Sequence, residues 1–407
     1  MFAFLSARRK APIPAPRDAL TSMRNLRRSV LLAACGFALA ACEPVALGKV
    51  GGGPSIDASA PVPVALLVPS SSADGGAIIA RSLENAARLA IADLKGVKID
   101  LRVYDTGGQP ARAAEVASQA VADGAKIILG PVFQQSANAA GLAVAGQGIN
   151  VLSFSNSTAI AGGNLYILGH TFENSAQRLV GYAKQQGKSR IYVIHGNNAA
   201  EIQGRDAITG AIQANGATLA GVGGFDLSQQ GVNAAVPRLA AEAKAAGATA
   251  VFMTSGTAGA LPLLVEGLPG AGLSPATTQF VGLQRLDVPA NALSLPGLQG
   301  SWFALPDPNL NARFNSRYAA TYGGQPHAIA GLAYDGIAAI GALVASGKSN
   351  ALTGAALTQG SGFIGVNGVF RLRPDGTNQR GMAVAQIRNN QVVVIDPAPK
   401  SFGGAGF

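Results

Sequence analysis

The side chains best suited to chemistry in this sequence are small, neutral and polar, and they recur just after short apolar runs. Ser70-Ser71-Ser72, Gln135-Ser136, Ser153, Ser155-Asn156-Ser157, Asn198 and Thr254-Ser255 all stand in that position. Hydroxyls and amides so placed, together with free backbone N–H groups, hydrogen-bond a polar ligand without using charge. The same residue types are the preferred N-caps of helices, so capping is the first reading for any one of them. The recurrence of the set, rather than any member, points to a ligand site.

Signatures of catalysis do not assemble. His170, His195 and His327 are far apart in sequence and read as surface or capping residues. No His-Glu-x-x-His motif or Cys pair supports zinc, so no metal is expected. Gly360-Ser361-Gly362-Phe363-Ile364-Gly365 spells a dinucleotide fingerprint, but a strand follows it rather than a helix, so it reads as a turn or hinge. The chain has no phosphate loop, no Gly-x-Ser-x-Gly elbow and no Ser-x-x-Lys. Asp105 is the best candidate acid and has no identifiable partner. The expectation is a non-catalytic protein without a cofactor.

The elements that must position these residues alternate. Residues 64–68, 99–104, 126–129, 150–153 and 165–168 predict short strands. Ile79, Leu83, Ala86, Ala87, Ala90 and Ile91 recur at helical spacing, and residues 111–122 and 136–145 also predict helices. The pattern then restarts. Strands at 190–194, 218–222, 250–253, 279–281 and 300–303 alternate with helices at 174–186, 201–215, 232–246 and 258–266. Such alternation predicts an α/β fold, with two doubly wound parallel-sheet lobes. Ligands of open parallel sheets bind beyond the carboxyl ends of the strands, where the polar residues lie. The last segment differs: 369–372, 382–388 and 391–395 read as strands, with turns at Asp375-Gly376 and Asn389-Asn390.

Composition agrees. With 407 residues, 48% hydrophobic and 13% charged, the chain is neither disordered nor a coiled coil. The net charge of +10 is concentrated at one end. Seven of the 31 basic residues, and one of the 21 acids, fall within residues 1–41, leaving 24 against 20. No basic cluster interleaved with aromatics follows, so no nucleic-acid partner is expected.

The amino-terminal segment reads as an address. Arg24, Arg27 and Arg28 precede an apolar run at 30–39 that is too short to span a bilayer. The run ends in Leu39-Ala40-Ala41-Cys42, which resembles the bacterial lipoprotein signal, with Cys42 acylated; Leu32-Ala33-Ala34-Cys35 would leave too short an apolar region. Met23 is a plausible start as well as Met1. Residues 1–41 are thus expected to be a signal segment and 42–61 a lipidated flexible linker. The protein is expected in the periplasm, anchored by lipid to the cell envelope, with Glu43 pointing to the outer membrane of a Gram-negative bacterium.

Beyond these patterns, residues 64–189 resemble the type I periplasmic binding protein superfamily, the Leu/Ile/Val-binding branch. The resemblance is carried by Val103-Tyr104-Asp105-Thr106-Gly107-Gly108, Ile128-Leu129-Gly130-Pro131 and Ile149-Asn150-Val151-Leu152-Ser153. It continues in Ala333-Tyr334-Asp335-Gly336 and in Gly362-Phe363-Ile364-Gly365-Val366-Asn367-Gly368-Val369-Phe370. Tyr104-Asp105-Thr106-Gly107, Asn164-Leu165-Tyr166 and Met253-Thr254-Ser255-Gly256 look closer to the penicillin-binding protein activator lipoproteins. The resemblance implies two lobes joined by three crossovers, near His170-Thr171, residues 303–305 and residues 360–365. Lobe 1 would hold 62–169 and 306–355, lobe 2 would hold 171–303 and 366–396, and 397–407 would be a tail. It also places Gln203, Thr254-Ser255 and Gln284-Arg285 where the second lobe of amino-acid binders offers aromatic residues and an acid. No carboxylate is evident there, which argues against a free amino acid, and Arg285 would suit an acidic ligand.

Two roles follow. The first is an activator lipoprotein that docks on a penicillin-binding protein in peptidoglycan synthesis. The alternative is a solute receptor that serves the membrane subunits of an ABC importer for amino acids or similar small polar ligands.

Overall fold

The computed structural model describes residues 53–73 and 75–403. The expected signal segment, Cys42 and the first part of the linker lie outside the described residues. The linker itself ends earlier than expected. Ile56 is buried in a hydrophobic core, and its N–H donates to Ser349 O at 2.9 Å.

The first sheet holds β1 (Val62–Val68), β2 (Ile99–Asp105), β3 (Ile127–Leu129), β4 (Val151–Ser153) and β5 (Leu165–Ile167). All are parallel, in the order β2-β1-β3-β4-β5. The connecting helices are α1 (Gly76–Asp93), α2 (Pro110–Ala122) and α3 (Gln134–Val144). Central β1 is apolar on both faces because both faces are covered. Val64, Leu66 and Val68 join the core with Leu83 and Ala86 of α1, whereas Ala65 and Leu67 face Val116 of α2 and Val144 of α3. That alternation is the period of two of a pleated strand.

The second sheet repeats the winding. The chain enters it through α4 (Phe172–Gln185) and continues as β6 (Arg190–Gly196), α5 (Ala199–Ala214), β7 (Thr218–Phe225), α6 (Gln229–Ala245), β8 (Ala250–Met253), α7 (Leu261–Gly270), β9 (Gln279–Gly282) and β10 (Trp302–Leu305). Its parallel strands run β7-β6-β8-β9-β10. Ile191 and Val193 of β6 pack with Leu179 and Ile208 of α4 and α5; Tyr192 and Ile194 face Leu239 and Leu264 of α6 and α7.

The chain then returns to the first lobe. Asp307 caps α8 (Pro308–Tyr322), accepting from Asn309 N and Leu310 N, with Pro308 in the first helical turn. Phe314 and Tyr318 of α8 and Ile337 and Ile340 of α9 (Ala330–Val344) complete the first core. After the short α10 (Gly354–Leu357) comes a small antiparallel sheet: β11 (Phe363–Gly365), β12 (Gly368–Leu372) and β13 (Asn378–Arg380). Finally β14 (Ala383–Arg388) pairs antiparallel with β10, and β15 (Gln391–Asp396) pairs antiparallel with β14 at the edge of the second sheet.

This return corrects the expected third crossover. Residues 360–365 do not cross, and 366–380 do not join lobe 2. Phe363, Phe370 and Leu372 are buried in the first core, and Gly376 O accepts Ile167 N at the edge of β5. The apolar face of β11 and β12 needs that cover. The third crossing lies between Arg380 and Ala383, while the other two lie between Leu168 and Phe172 and between Leu305 and Pro308. The segment after β15 is packed down: Ala398 is buried, and Arg371 lies over the Phe402 ring at 4.6 Å. Among the described residues no helix is long and apolar enough to cross a membrane.

Candidate functional site

Most of the strand-end hydroxyls are consumed within the protein. Ser136 is buried in the first turn of α3 and donates to Gly108 O at 3.2 Å. Ser153 donates to Pro131 O at 2.9 Å and accepts from Ser155 N; Ser155 in turn accepts from Ser157 N at 3.2 Å. These stepped side-chain-to-backbone bonds replace a ladder the strand no longer has. Gly169 packs so closely there that an added Cβ would stand 2.3 Å from Ser155 O. The loop holding Ser70, Ser71 and Ser72 is tied by Asp105, which accepts from Ser71 N at 3.1 Å and Gly107 N at 2.9 Å. Burial pushes the Asp105 carboxyl up, but these donors and the Ser71 hydroxyl outweigh it and hold it below the usual range. Ser70, Ser71, Gln135 and Asn156 are exposed.

The second lobe behaves alike, around a carboxylate that sequence reasoning missed. Asn198 caps α5 by accepting from Glu201 N. Glu201 Oε2 accepts from Gly196 N at 2.6 Å, Thr254 Oγ1 at 2.9 Å and Ser255 Oγ at 2.7 Å. The two hydroxyls expected to face a ligand therefore donate to Glu201. The signal was available in part: an acid three residues after an N-cap Asn reaches back toward the end of the preceding strand. Gln203 lies elsewhere, in a lateral groove of about 450 Å³ with Thr158, Glu173 and Asp206.

What the structure does bring together is a cavity of about 400 Å³ at the crossovers. His170 and Thr171 belong to the first crossing, Pro306 to the second and Met382 to the third, and all four line it. Gln284 and Arg285 enter from the loop after β9, and Asn311, Asn315 and His327 from the return segment of the first lobe. Of the candidate ligand residues, Arg285 alone is among those lining it. His170 and His327, read from sequence as surface or capping residues, meet here. The His170 Nδ1 is buried without a hydrogen-bond partner. Burial, reinforced by the charges of Arg380 and Arg285, holds this imidazole well below its ordinary pKa, so it is neutral. Arg285 forks onto Asp287, Nε to Oδ1 and Nη2 to Oδ2, both at 2.6 Å.

A family profile described as "Periplasmic binding protein" matches residues 61–391. The chain belongs to the periplasmic binding protein family. Solved relatives share the fold. A branched-chain amino acid ABC transporter periplasmic ligand-binding protein from Burkholderia xenovorans is 20% identical, with a TM-score of 0.66 over 84% of this chain and 97% of that one. A leucine-, isoleucine-, valine-, threonine- and alanine-binding protein from Brucella ovis, in a closed conformation, is 18% identical, with a TM-score of 0.61 over 86% and 97%. A solute-binding protein of an ABC transporter from Rhodopseudomonas palustris, in complex with 3,4-dihydroxybenzoic acid, is 17% identical, with a TM-score of 0.57 over 85% and 98%. No curated protein sequence matches. The profile shows the family, and the solved relatives show the fold.

In this periplasmic binding protein the cavity is wired to the crossovers by hydrogen bonds. Asn315 Nδ2 donates to Asn311 Oδ1, Asn311 Nδ2 to Asn367 Oδ1, and Asn367 Nδ2 to Asp335 Oδ2. Asp335 is fully buried and pairs with Arg380 at 2.9 Å. Arg380 also donates from Nε to Leu168 O and lies over the Phe370 ring. Asn378 Nδ2 reaches Ile167 O and Gly169 O, and Asn174 Oδ1 accepts Arg380 N. Asp307 N, at the second crossing, donates to Asn367 O. One polar network thus touches all three connections.

Proposed function

We propose that the protein is a non-catalytic solute receptor, which holds a small ligand between its lobes and delivers it to the membrane subunits of an ABC importer. The cavity at the crossovers carries this reading. It is walled from both lobes, and a solute inside it bridges Arg285 and Gln284 of one with Asn311, Asn315 and His327 of the other. Closure about a hinge then depends on the ligand supplying contacts to both sides. The relative that binds several amino acids and the one in complex with 3,4-dihydroxybenzoic acid are consistent with it. A ligand at a hundred times its Kd adds about 2.7 kcal/mol of stability. Thermal unfolding of the purified protein against amino acids, small peptides, amides and organic acids tests the reading, and no response to any of them refutes it.

A second reading, a lipoprotein that activates a penicillin-binding protein, draws on one observation. Ser136, Ser153, Ser155, Thr254 and Ser255 are bonded internally, which leaves the strand ends with less capacity for a ligand than the sequence implies. Co-purification with a bifunctional penicillin-binding protein and faster glycan polymerisation would support it. In either role an acylated Cys42 would moor the protein to the envelope, which mass spectrometry of the mature amino end checks.

A further inference from the structure

We propose that the crossover cavity selects a compact carboxylate carried on an apolar ring and excludes free amino acids; this rests on the receptor reading above. Arg285 supplies the anchor. Asp287 occupies its Nε and one N–H of Nη2, which fixes the guanidinium plane, and Nη1 has no hydrogen-bond partner among the described residues. The edge formed by Nη1 and the second N–H of Nη2 is therefore open. Two parallel N–H donors on that edge match the two oxygens of a carboxylate.

An ammonium has no such provision. Among the described residues lining the cavity there is no Asp or Glu. The nearby acids are engaged: Asp287 on Arg285, and Asp335 on Arg380, Val366 N and Asn367. Glu201 lies outside the lining. An amino acid enclosed here would bury its ammonium without a counter-charge, at a cost of several kcal/mol.

The remaining wall is mixed, with apolar residues beside Thr171, Ser175, Gln284, Asn311, Asn315 and Asn367. Phe172, Pro306 and Pro326 supply rigid apolar surface, and Leu283 and Val288 add aliphatic surface. The histidine ring nearest the first crossing is neutral and brings no competing charge. The apolar part of the wall favours a ring, whose burial costs little rotational freedom, over a flexible chain.

Titration calorimetry with benzoate, benzamide and phenylalanine tests this. Benzoate is expected to bind at least tenfold more tightly than either of the others, and R285Q to weaken benzoate at least tenfold. R285K, which keeps the charge but loses the fork, is expected to fall between and serves if R285Q does not fold. Phenylalanine binding as well as benzoate would overturn the ligand class and leave the receptor reading standing. Benzoate bound equally by wild type, R285Q and R285K would overturn the anchor. Failure of all three probes would also overturn the ligand class, and the receptor reading would then rest on the wider solute panel.

Discussion

Replacing Asp335 by Asn should unfasten the crossovers. Asp335 is fully buried and its partner Arg380 is 1% exposed, with Nη1 and Oδ2 2.9 Å apart. Asp335 also accepts from Val366 N at 2.8 Å and Asn367 N at 3.4 Å through Oδ1, and from Asn367 Nδ2 at 3.0 Å. D335N preserves the shape. If its oxygen keeps the backbone bonds, its new amide N–H groups confront Arg380 Nη1 and Asn367 Nδ2, both donors. The guanidinium keeps Leu168 O but loses its counter-charge. Breaking a buried pair in this way costs about 3–5 kcal/mol. R380M should cost less, because Asp335 retains its three N–H donors. Urea unfolding followed by circular dichroism measures both. A D335N loss below about 1 kcal/mol, the size of an ordinary substitution, or an R380M loss exceeding that of D335N, would refute the reasoning. The site has no slack for a side chain opposite: a Cβ on Gly365 would stand 2.0 Å from Asp335 Oδ1, so G365A should destabilise as well.

Further outcomes follow from the same physics. E201A strands the N–H of Gly196 and the hydroxyl of Ser255 and leaves Thr254 Oγ1 only Ile194 O at 3.3 Å, and should cost about 2 kcal/mol or more in the same unfolding assay. The His170 imidazole is held well below its unfolded pKa of about 6.5, so the unfolded chain takes the proton first. Stability should therefore fall as pH drops below about 6.5, and the difference between wild type and H170Q should show that slope. Asp93 is held below the usual carboxylate range, chiefly by its hydrogen bonds from Arg317 against the opposing effect of burial, with Tyr334 assisting. Its contribution is present above about pH 4 and lost as pH falls through its lower folded value. R317Q should flatten that acid limb in a pH series of melting temperatures.

The sheets were legible because their strands carry unmixed signals. Residues 64–68, 190–194 and 250–253 are apolar runs bounded by polar joints, and each becomes a central strand within a residue or two of its expected bounds. The two-lobed winding follows from the repeated alternation. The site was legible only in outline, since Ser, Thr and Asn at strand ends serve backbone and ligand by the same hydrogen bonds. Ser153 and Asn198 took the local partner. Thr254 and Ser255 found Glu201, which is 53 residues away from Thr254 and reachable only once β6 and β8 pair. His170 and His327 meet only because the chain returns to its first lobe. Sequence alone places 366–380 in the second lobe because strand propensity names an element, not the core it covers.

The interleaving of the lobes bears on how the chain is made. The first core lacks Phe314, Ile337 and Phe370 until most of the polypeptide exists, and the second sheet lacks β14 until almost all of it does. A ribosome-borne fragment ending anywhere before residue 372 owns neither finished half. Apolar strands such as Val62–Val68 must wait with one cover missing, exposed to premature association, while the intervening lobe is synthesised. Both halves then close almost together, so that maturation is a late, concerted event rather than two successive ones.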